Sequence, residues 1–165
     1  MSEDYIPPKG SINKKKVDGW INDLVDDAQY NFASYAECFI SENLIRKYIQ
    51  AEKIPLSPEA KKEIGKWKGT ETTNKGKANI SIDIRNMSTD LGLCLSYLSM
   101  DYLANLVDKG QDKIMDAALS RDATEYKPIR DALMHTALLT KAAKLRLSST
   151  YENIKGRIKT KLSGS

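Results

Sequence analysis

Apolar residues recur three and four positions apart over most of this chain, which is the spacing of one face of an α-helix. The first such run extends from Val17 to Tyr48 and stops before Pro55. It predicts either one very long helix or two helices with a bend. Its aromatic residues are expected to lie in the core rather than to stack on bases; they are Trp20, Phe32, Tyr35 and Phe39.

The middle of the chain gives a less uniform pattern. A short helix is predicted from Ser57, with Pro58 and Glu59 in its first turn, and it is expected to end by Gly69. Residues 70–77 are polar and predict a loop. Isoleucines then alternate over residues 80–84 as in a strand but also fit helical spacing with the residues that follow. We expect a helix that begins near 81–84, with a short extended segment near 79–84 as the alternative.

Helical signals continue to the end of the chain. Ser99 is typical of an N-cap for a helix that runs to Gly110. Further helices are expected over residues 114–119, from Pro128 onwards, and around Ile154, Ile158 and Leu162. No βαβ pattern, glycine-rich phosphate loop or internal repeat is present in the sequence. The predicted fold class is therefore all-α, an up-and-down helical bundle.

Composition places this bundle among single soluble domains. The chain has 165 residues, of which 41% are hydrophobic and 29% charged, and such a chain buries one core. We expect one domain over residues 17–162, between a flexible basic segment (1–16) and a tail (163–165). No apolar run approaches the roughly 20 residues that cross a bilayer, and the first residues lack the order of a signal peptide. An intracellular, cytoplasmic protein without a membrane partner is expected.

The two cysteines, Cys38 and Cys94, are far apart and sit inside apolar patterns. They are expected to be buried reduced thiols rather than a disulfide or zinc ligands. The sequence offers no convincing carboxylate–histidine metal cluster, so neither a metal nor a cofactor is predicted.

Charge is distributed unevenly along the chain. Residues 126–165 hold nine Lys or Arg against two acids, a net charge of +7, whereas residues 17–50 sum to −4. Such asymmetry is typical of a face that binds a polyanion, although a solvated helical surface gives the same pattern. The candidate RNA-binding cations are Lys127, Lys141, Lys144, Arg146 and Arg46. Trp67, between two lysines, either stacks on a base or seals a groove.

The single histidine, His135, lies five positions after Arg130, and Asp131 directly follows that arginine. Histidine exchanges protons near neutral pH, and the guanidinium fork fits phosphate oxygens. On one helix, Asp131 and His135 share a face and Arg130 reaches round to it. This grouping suggests phosphodiester chemistry, in which two copies of the motif in a symmetric dimer supply both acid and base. The plainer interpretation is a core histidine and a surface arginine.

A second polar group lies in the first helical run, where Glu42 precedes Arg46 by four residues. This is the favourable order for an ion pair on a helix surface. The alternative interpretation is functional. Glu42 would turn towards the helix that carries Arg130, Asp131 and His135, the motif helix, and orient Arg130 or His135.

Three segments together resemble the HEPN superfamily (higher eukaryotes and prokaryotes nucleotide-binding). Residues 129–135 resemble its signature of Arg, a polar residue, three variable positions and His. Residues 39–49 look like its first core helix, and residues 95–103 are similar to a segment of HEPN domains appended to larger multidomain proteins. The matches follow in consistent order over residues 17–147.

This resemblance implies a helical bundle, dimerisation through the motif helices and metal-independent endoribonuclease activity on RNA, which we expect to be single-stranded. Carried over by position, the catalytic residues are Arg130, Asp131 and His135, with Glu42 as a looser match. Asp131 departs from the family, in which many members have Asn. Its carboxylate adds negative charge beside the expected phosphate, and either holds His135 protonated or pairs with Arg130. The alternative is an inactive domain that binds RNA or a nucleotide, or that acts as a dimerisation adaptor beside other domains of a larger protein.

Overall fold

The computed structural model describes residues 9–82, 94–109 and 118–164 of the chain. They form five helices: α1 (Lys9–Ala51), α2 (Pro58–Ala78), α3 (Met100–Lys109), α4 (Ala118–Met134) and α5 (Lys141–Ser163). Within these ranges there is no β-strand, so the all-α prediction is confirmed. Nor does any described helix combine the length and the apolar character that a membrane span requires.

Helix α1 is one continuous helix of 43 residues, about 64 Å long at 1.5 Å per residue. It begins at Lys9, so residues 9–16, expected as a flexible lead-in, are helical. Its C-terminal half is buried against the other helices through Cys38, Ile45 and Ile49. Residues 13–29 are exposed, and the expectation that the aromatic residues of α1 lie in the core is wrong: Trp20, Phe32, Tyr35 and Phe39 are each more than half exposed.

Helix α2 starts as predicted and ends later than predicted. The Ser57 side chain accepts a hydrogen bond from the Ala60 N–H, with Pro58 in the first turn. The predicted loop at 70–77 is wrong, because the helix continues to Ala78. Three threonine hydroxyls in this stretch donate to backbone carbonyls four residues earlier, so the polar side chains are satisfied without leaving the helix. Of the alternating isoleucines, Ile80 and Ile82 are exposed, and the expected helix from 81–84 lies largely outside the described residues.

Helix α3 begins directly after Ser99, as expected, and buries Leu103, Leu106 and Val107. Its predicted end at Gly110 lies outside the described residues. Helix α4 differs from the prediction of two separate helices, because it runs unbroken from Ala118 to Met134 with Pro128 inside it. Pro128 is exposed, where water can bond the carbonyl that lacks its helical partner. The predicted residues 114–117 lie outside the described part of the chain.

Helix α5 confirms the predicted C-terminal helix. The Thr140 side chain caps it by accepting from the Ala143 N–H, and Ile154 and Ile158 are buried. Helix α4 packs against α3 and α5, while the buried half of α1 contacts α3, α4 and α5. Helix α2 buries only Ala60 and Ile64 and is peripheral. The core therefore lies between the C-terminal half of α1 and the α3–α4–α5 group. At its centre is α4, the motif helix, which carries Arg130 and Asp131.

Candidate functional site

The histidine lies at the end of the motif helix rather than within it. The His135 N–H still bonds the Asp131 carbonyl at 3.0 Å, but Thr136 turns into the left-handed region with φ 64°. The Thr136 N–H then bonds the Leu133 carbonyl and the Ala137 N–H bonds the Ala132 carbonyl. This is the Schellman arrangement that closes helices, usually with glycine at the left-handed position. A β-branched threonine there is strained.

Asn31 of α1 holds this turn in place. Its side-chain amide donates to the Ala137 carbonyl at 2.9 Å and accepts from the Leu139 N–H at 3.4 Å. The residues after His135 are thereby fixed to α1 from a position 106 residues away in sequence. Sequence reasoning missed Asn31, and the available signal was a polar residue in the middle of an apolar face.

Arg130 projects from α4 towards the buried half of α1, where its Nε lies 3.5 Å from a Glu42 carboxylate oxygen. The alternative in which Glu42 turns to the motif helix and contacts Arg130 is the one observed. Within the described residues, the buried Arg130 Nε–H has no hydrogen-bond partner, so the contact with Glu42 is electrostatic only. Burial alone would lower the pKa of the guanidinium, but Glu42 and Asp131 outweigh it and the pKa is raised. Arg130 is therefore a permanent cation.

Glu42 is itself buried, with 8% of its surface exposed. Burial raises the pKa of its carboxyl above the ordinary value, while Arg130 and Arg46 act in the opposite direction. Tyr126 lies on the same face of α4 as Arg130, and its hydroxyl donates to the Cys38 carbonyl at 3.4 Å. Burial raises the pKa of Tyr126 well above its usual range and that of the Cys38 thiol to about 11. These two residues remain neutral and form the wall behind the ion pair.

Tyr126 is a second residue that the sequence reasoning missed. It precedes Arg130 by four positions, and this spacing places the two on one helix face. That spacing was the available signal. Cys38 is buried and free as predicted, and Cys94 is free and only partly buried.

Asp131 contacts Arg130 and not His135. Its carboxylate lies 3.5 Å from Arg130 Nη1. Of the two roles considered for Asp131, the structure thus shows the pairing with Arg130. Arg130 is thus flanked by two carboxylates. The His135 side chain is exposed, and none of the described side chains bonds its imidazole. The structure therefore brings Glu42, Arg130 and Asp131 together and leaves His135 at the adjoining solvent-facing turn.

The five candidate RNA-binding cations separate into two groups. Arg46 donates to the Leu95 and Leu98 carbonyls, Lys127 pairs with Asp101 at 3.3 Å, and Lys144 lies over the Tyr30 ring. These three have structural contacts. Lys141 and Arg146 are exposed on α5 and keep their charge available at the surface.

Trp67 belongs to a separate surface on α2. Its indole N–H donates to a Glu63 carboxylate oxygen at 2.6 Å, and Lys66 lies over the ring. With Tyr97 and Ile82 it lines a shallow cleft of about 290 Å³. This position fits the groove-sealing role better than a free stacking platform.

The described residues contain no group of three or more His, Cys, Asp or Glu placed to hold a metal ion. Comparison of the chain with protein-family models, with curated proteins and with solved structures gives no match.

Proposed function

We propose that this chain is a metal-independent endoribonuclease that acts as a homodimer. The observation that carries the proposal is the solvent-facing His135 one turn beyond an arginine whose charge is fixed from behind by Glu42. Proton transfer requires an imidazole that the substrate can reach, and stabilisation of the phosphorane-like transition state requires a fixed cation beside it. Both are present on consecutive turns of one helix end.

The reaction is attack of an RNA 2′-hydroxyl on its neighbouring phosphorus. The 2′-oxygen–phosphorus bond forms and the bond from phosphorus to the 5′-oxygen breaks, which leaves a 2′,3′-cyclic phosphate and a free 5′-hydroxyl. One base removes the 2′-hydroxyl proton and one acid protonates the leaving oxygen. Because the chain has a single histidine, the second imidazole comes from the second copy.

Arg130 is assigned to the scissile phosphate, with Glu42 as its positioning residue. The exposed Lys141 and Arg146 extend the cationic surface on α5. Asp131, at 3.5 Å from Arg130, competes with a phosphate for the same guanidinium.

Cleavage of labelled single-stranded RNA in the presence of EDTA tests the proposal. We expect His135→Ala to reduce the cleavage rate at least 100-fold, because general acid–base groups contribute about that much or more. Glu125→Ala is the matched control, since Glu125 is exposed on the same helix outside the site. Equal rates for His135→Ala and the parent, with both proteins folded by circular dichroism, would refute the assignment.

A second candidate function is an RNA-binding or dimerisation adaptor without catalysis. The observation in its favour is that Arg130 is already engaged by two carboxylates. RNA binding that weakens steeply with salt, without shorter products in EDTA, would select this function over the nuclease.

A further inference from the structure

The exposed half of α1 carries a continuous apolar surface that no described helix covers. We call it the α1 stripe, and it consists of Val17, Trp20, Ile21, Leu24, Val25, Ala28, Phe32, Tyr35 and Phe39. Its large side chains are between 43% and 63% exposed. At 100° per residue, all nine positions fall within an arc of about 140°. Their exposed area is on the order of 900 Å², whereas monomeric proteins rarely expose an apolar patch larger than a few hundred Å².

The spacing of the stripe is symmetric about Ala28. Its central row lies 4, 7 and 11 residues from Ala28 in both directions; the pairs are Leu24 with Phe32, Ile21 with Tyr35, and Val17 with Phe39. In every pair the N-terminal member is aliphatic and the C-terminal member is aromatic. Two antiparallel helices that cross at Ala28 therefore place each small side chain opposite a large one, with the smallest residue on the axis.

From this we infer that the α1 stripe binds the α1 stripe of a second copy of this chain, as an antiparallel helix pair with its two-fold axis at Ala28. An isologous interface requires a surface that is complementary to itself, and the symmetric spacing meets this requirement. Two stripes supply an area within the range of stable protein interfaces, about 1,200–2,000 Å² in total.

Charge selects the antiparallel direction over the parallel one. Lys14, Lys15 and Lys16 precede the stripe. A parallel pair would place these three lysines of one copy beside the same three of the other. In the antiparallel pair, residue 14 of one copy stands level with residue 42 of the other, so that the two lysine runs lie at opposite ends of the pair.

The α1 stripe also adjoins the turn that carries His135. A cleft of about 540 Å³ lies between α1 and this turn, and its apolar lining includes Leu24, Ala28, Phe32, Tyr35, Leu133 and Leu138. Leu24 of the second copy stands opposite Phe32 at this cleft. Asn31 fixes the turn three residues from the two-fold axis, so the two turns lie about 9 Å apart along the helix direction and on the same side of the pair. This last step rests on the proposed function, whereas the pairing itself does not.

Sedimentation equilibrium without RNA tests the pairing. The parent is expected to be a dimer at micromolar concentration. Ala28→Arg places two charges against each other on the axis and should weaken the dimer at least 100-fold. Ala33→Arg is the matched control, because Ala33 is exposed about 140° round the same helix, and it should leave the dimer intact. A monomeric parent, or an Ala28→Arg protein that dimerises as the parent does, would overturn the inference.

Cysteine cross-linking tests the register. Leu24→Cys mixed with Phe32→Cys should form a disulfide-linked dimer, because those positions face each other across the seam. Either protein alone should not, since two copies of position 24 lie about 12 Å apart along the axis. Cross-links in the separate proteins, or none in the mixture, would contradict the register. A dimer in this register that does not cut RNA would refute the nuclease and leave the pairing standing.

Discussion

Removal of Arg130 should destabilise the fold through Glu42, and removal of the Glu42 charge as well should restore part of the loss. Glu42 is buried and its carboxylate lies 3.5 Å from Arg130 Nε. At that distance the attraction is about 5 kcal/mol with an effective dielectric constant of 20. Arg130 is one-third exposed, so solvent screening reduces the expected coupling to about 2 kcal/mol.

The single and double variants separate this coupling from the other effects of each substitution. We expect Arg130→Ala to cost about 3 kcal/mol, because it leaves a buried carboxylate without its cation. Glu42→Gln should cost about 1 kcal/mol, since Arg130 keeps Asp131 as a partner. With the coupling above, the double variant should cost about 2 kcal/mol and be more stable than Arg130→Ala alone.

Urea unfolding at neutral pH measures these differences in the free energy of unfolding. The pH dependence gives an independent check. An acid whose pKa is raised on folding stabilises the protein below its unfolded value, and this contribution is lost as the pH rises through the folded value. The pKa of Glu42 is raised above 4.5, and more so without Arg130. The advantage of the double variant over Arg130→Ala should therefore shrink as the pH falls towards 4.5. Additive costs, or an advantage that does not change with pH, would refute the reasoning.

Two further predictions concern the turn after the motif helix. Thr136→Gly should raise the free energy of unfolding by about 1 kcal/mol, because glycine takes the left-handed conformation at φ 64° without the clash of a β-branched side chain. Thermal denaturation measures this change in stability. A less stable variant would show that Thr136 is not strained. Asn31→Leu should lower the free energy of unfolding by about 2 kcal/mol and speed amide exchange at Leu139, since the carbonyl and N–H that Asn31 bonds lose their partner. The control is Asn22→Leu, on the exposed part of α1. Equal exchange in the two variants would show that Asn31 does not hold the turn.

Local patterns predicted the helices well wherever an apolar face or a cap carried the signal. Ser57, the start of α3 after Ser99 and the buried isoleucines of α5 illustrate this. Segment 70–77 was mistaken for a loop because threonine, asparagine and glycine favour turns in isolation, while within α2 each threonine hydroxyl finds a carbonyl of the preceding turn. Pro128 was mistaken for a helix start, although an exposed helix face accommodates the missing N–H.

Periodicity located the apolar face of α1 and did not show what covers it. The same three-and-four spacing produces a buried face from Ile45 onwards and an exposed one up to Ile40, because burial depends on which other helices reach that part of α1. The site shows the same division. The identity of Arg130, Asp131 and His135 follows from the motif, whereas the contact with Glu42 and the partnership of Asp131 depend on how α1 and α4 pack.

The unbroken course of α1 gives it one more consequence. No break in α1 separates Ala28 from Glu42. The angle between their directions around the helix axis is therefore fixed by their separation of 14 residues, which is about four helical turns. An insertion of one residue between them would turn the surface around Ala28 by about 100° relative to the carboxylate that faces Arg130. We therefore expect a single insertion or deletion in this segment to turn the α1 stripe away from the site, whereas substitutions at its exposed positions outside the stripe should leave the two aligned.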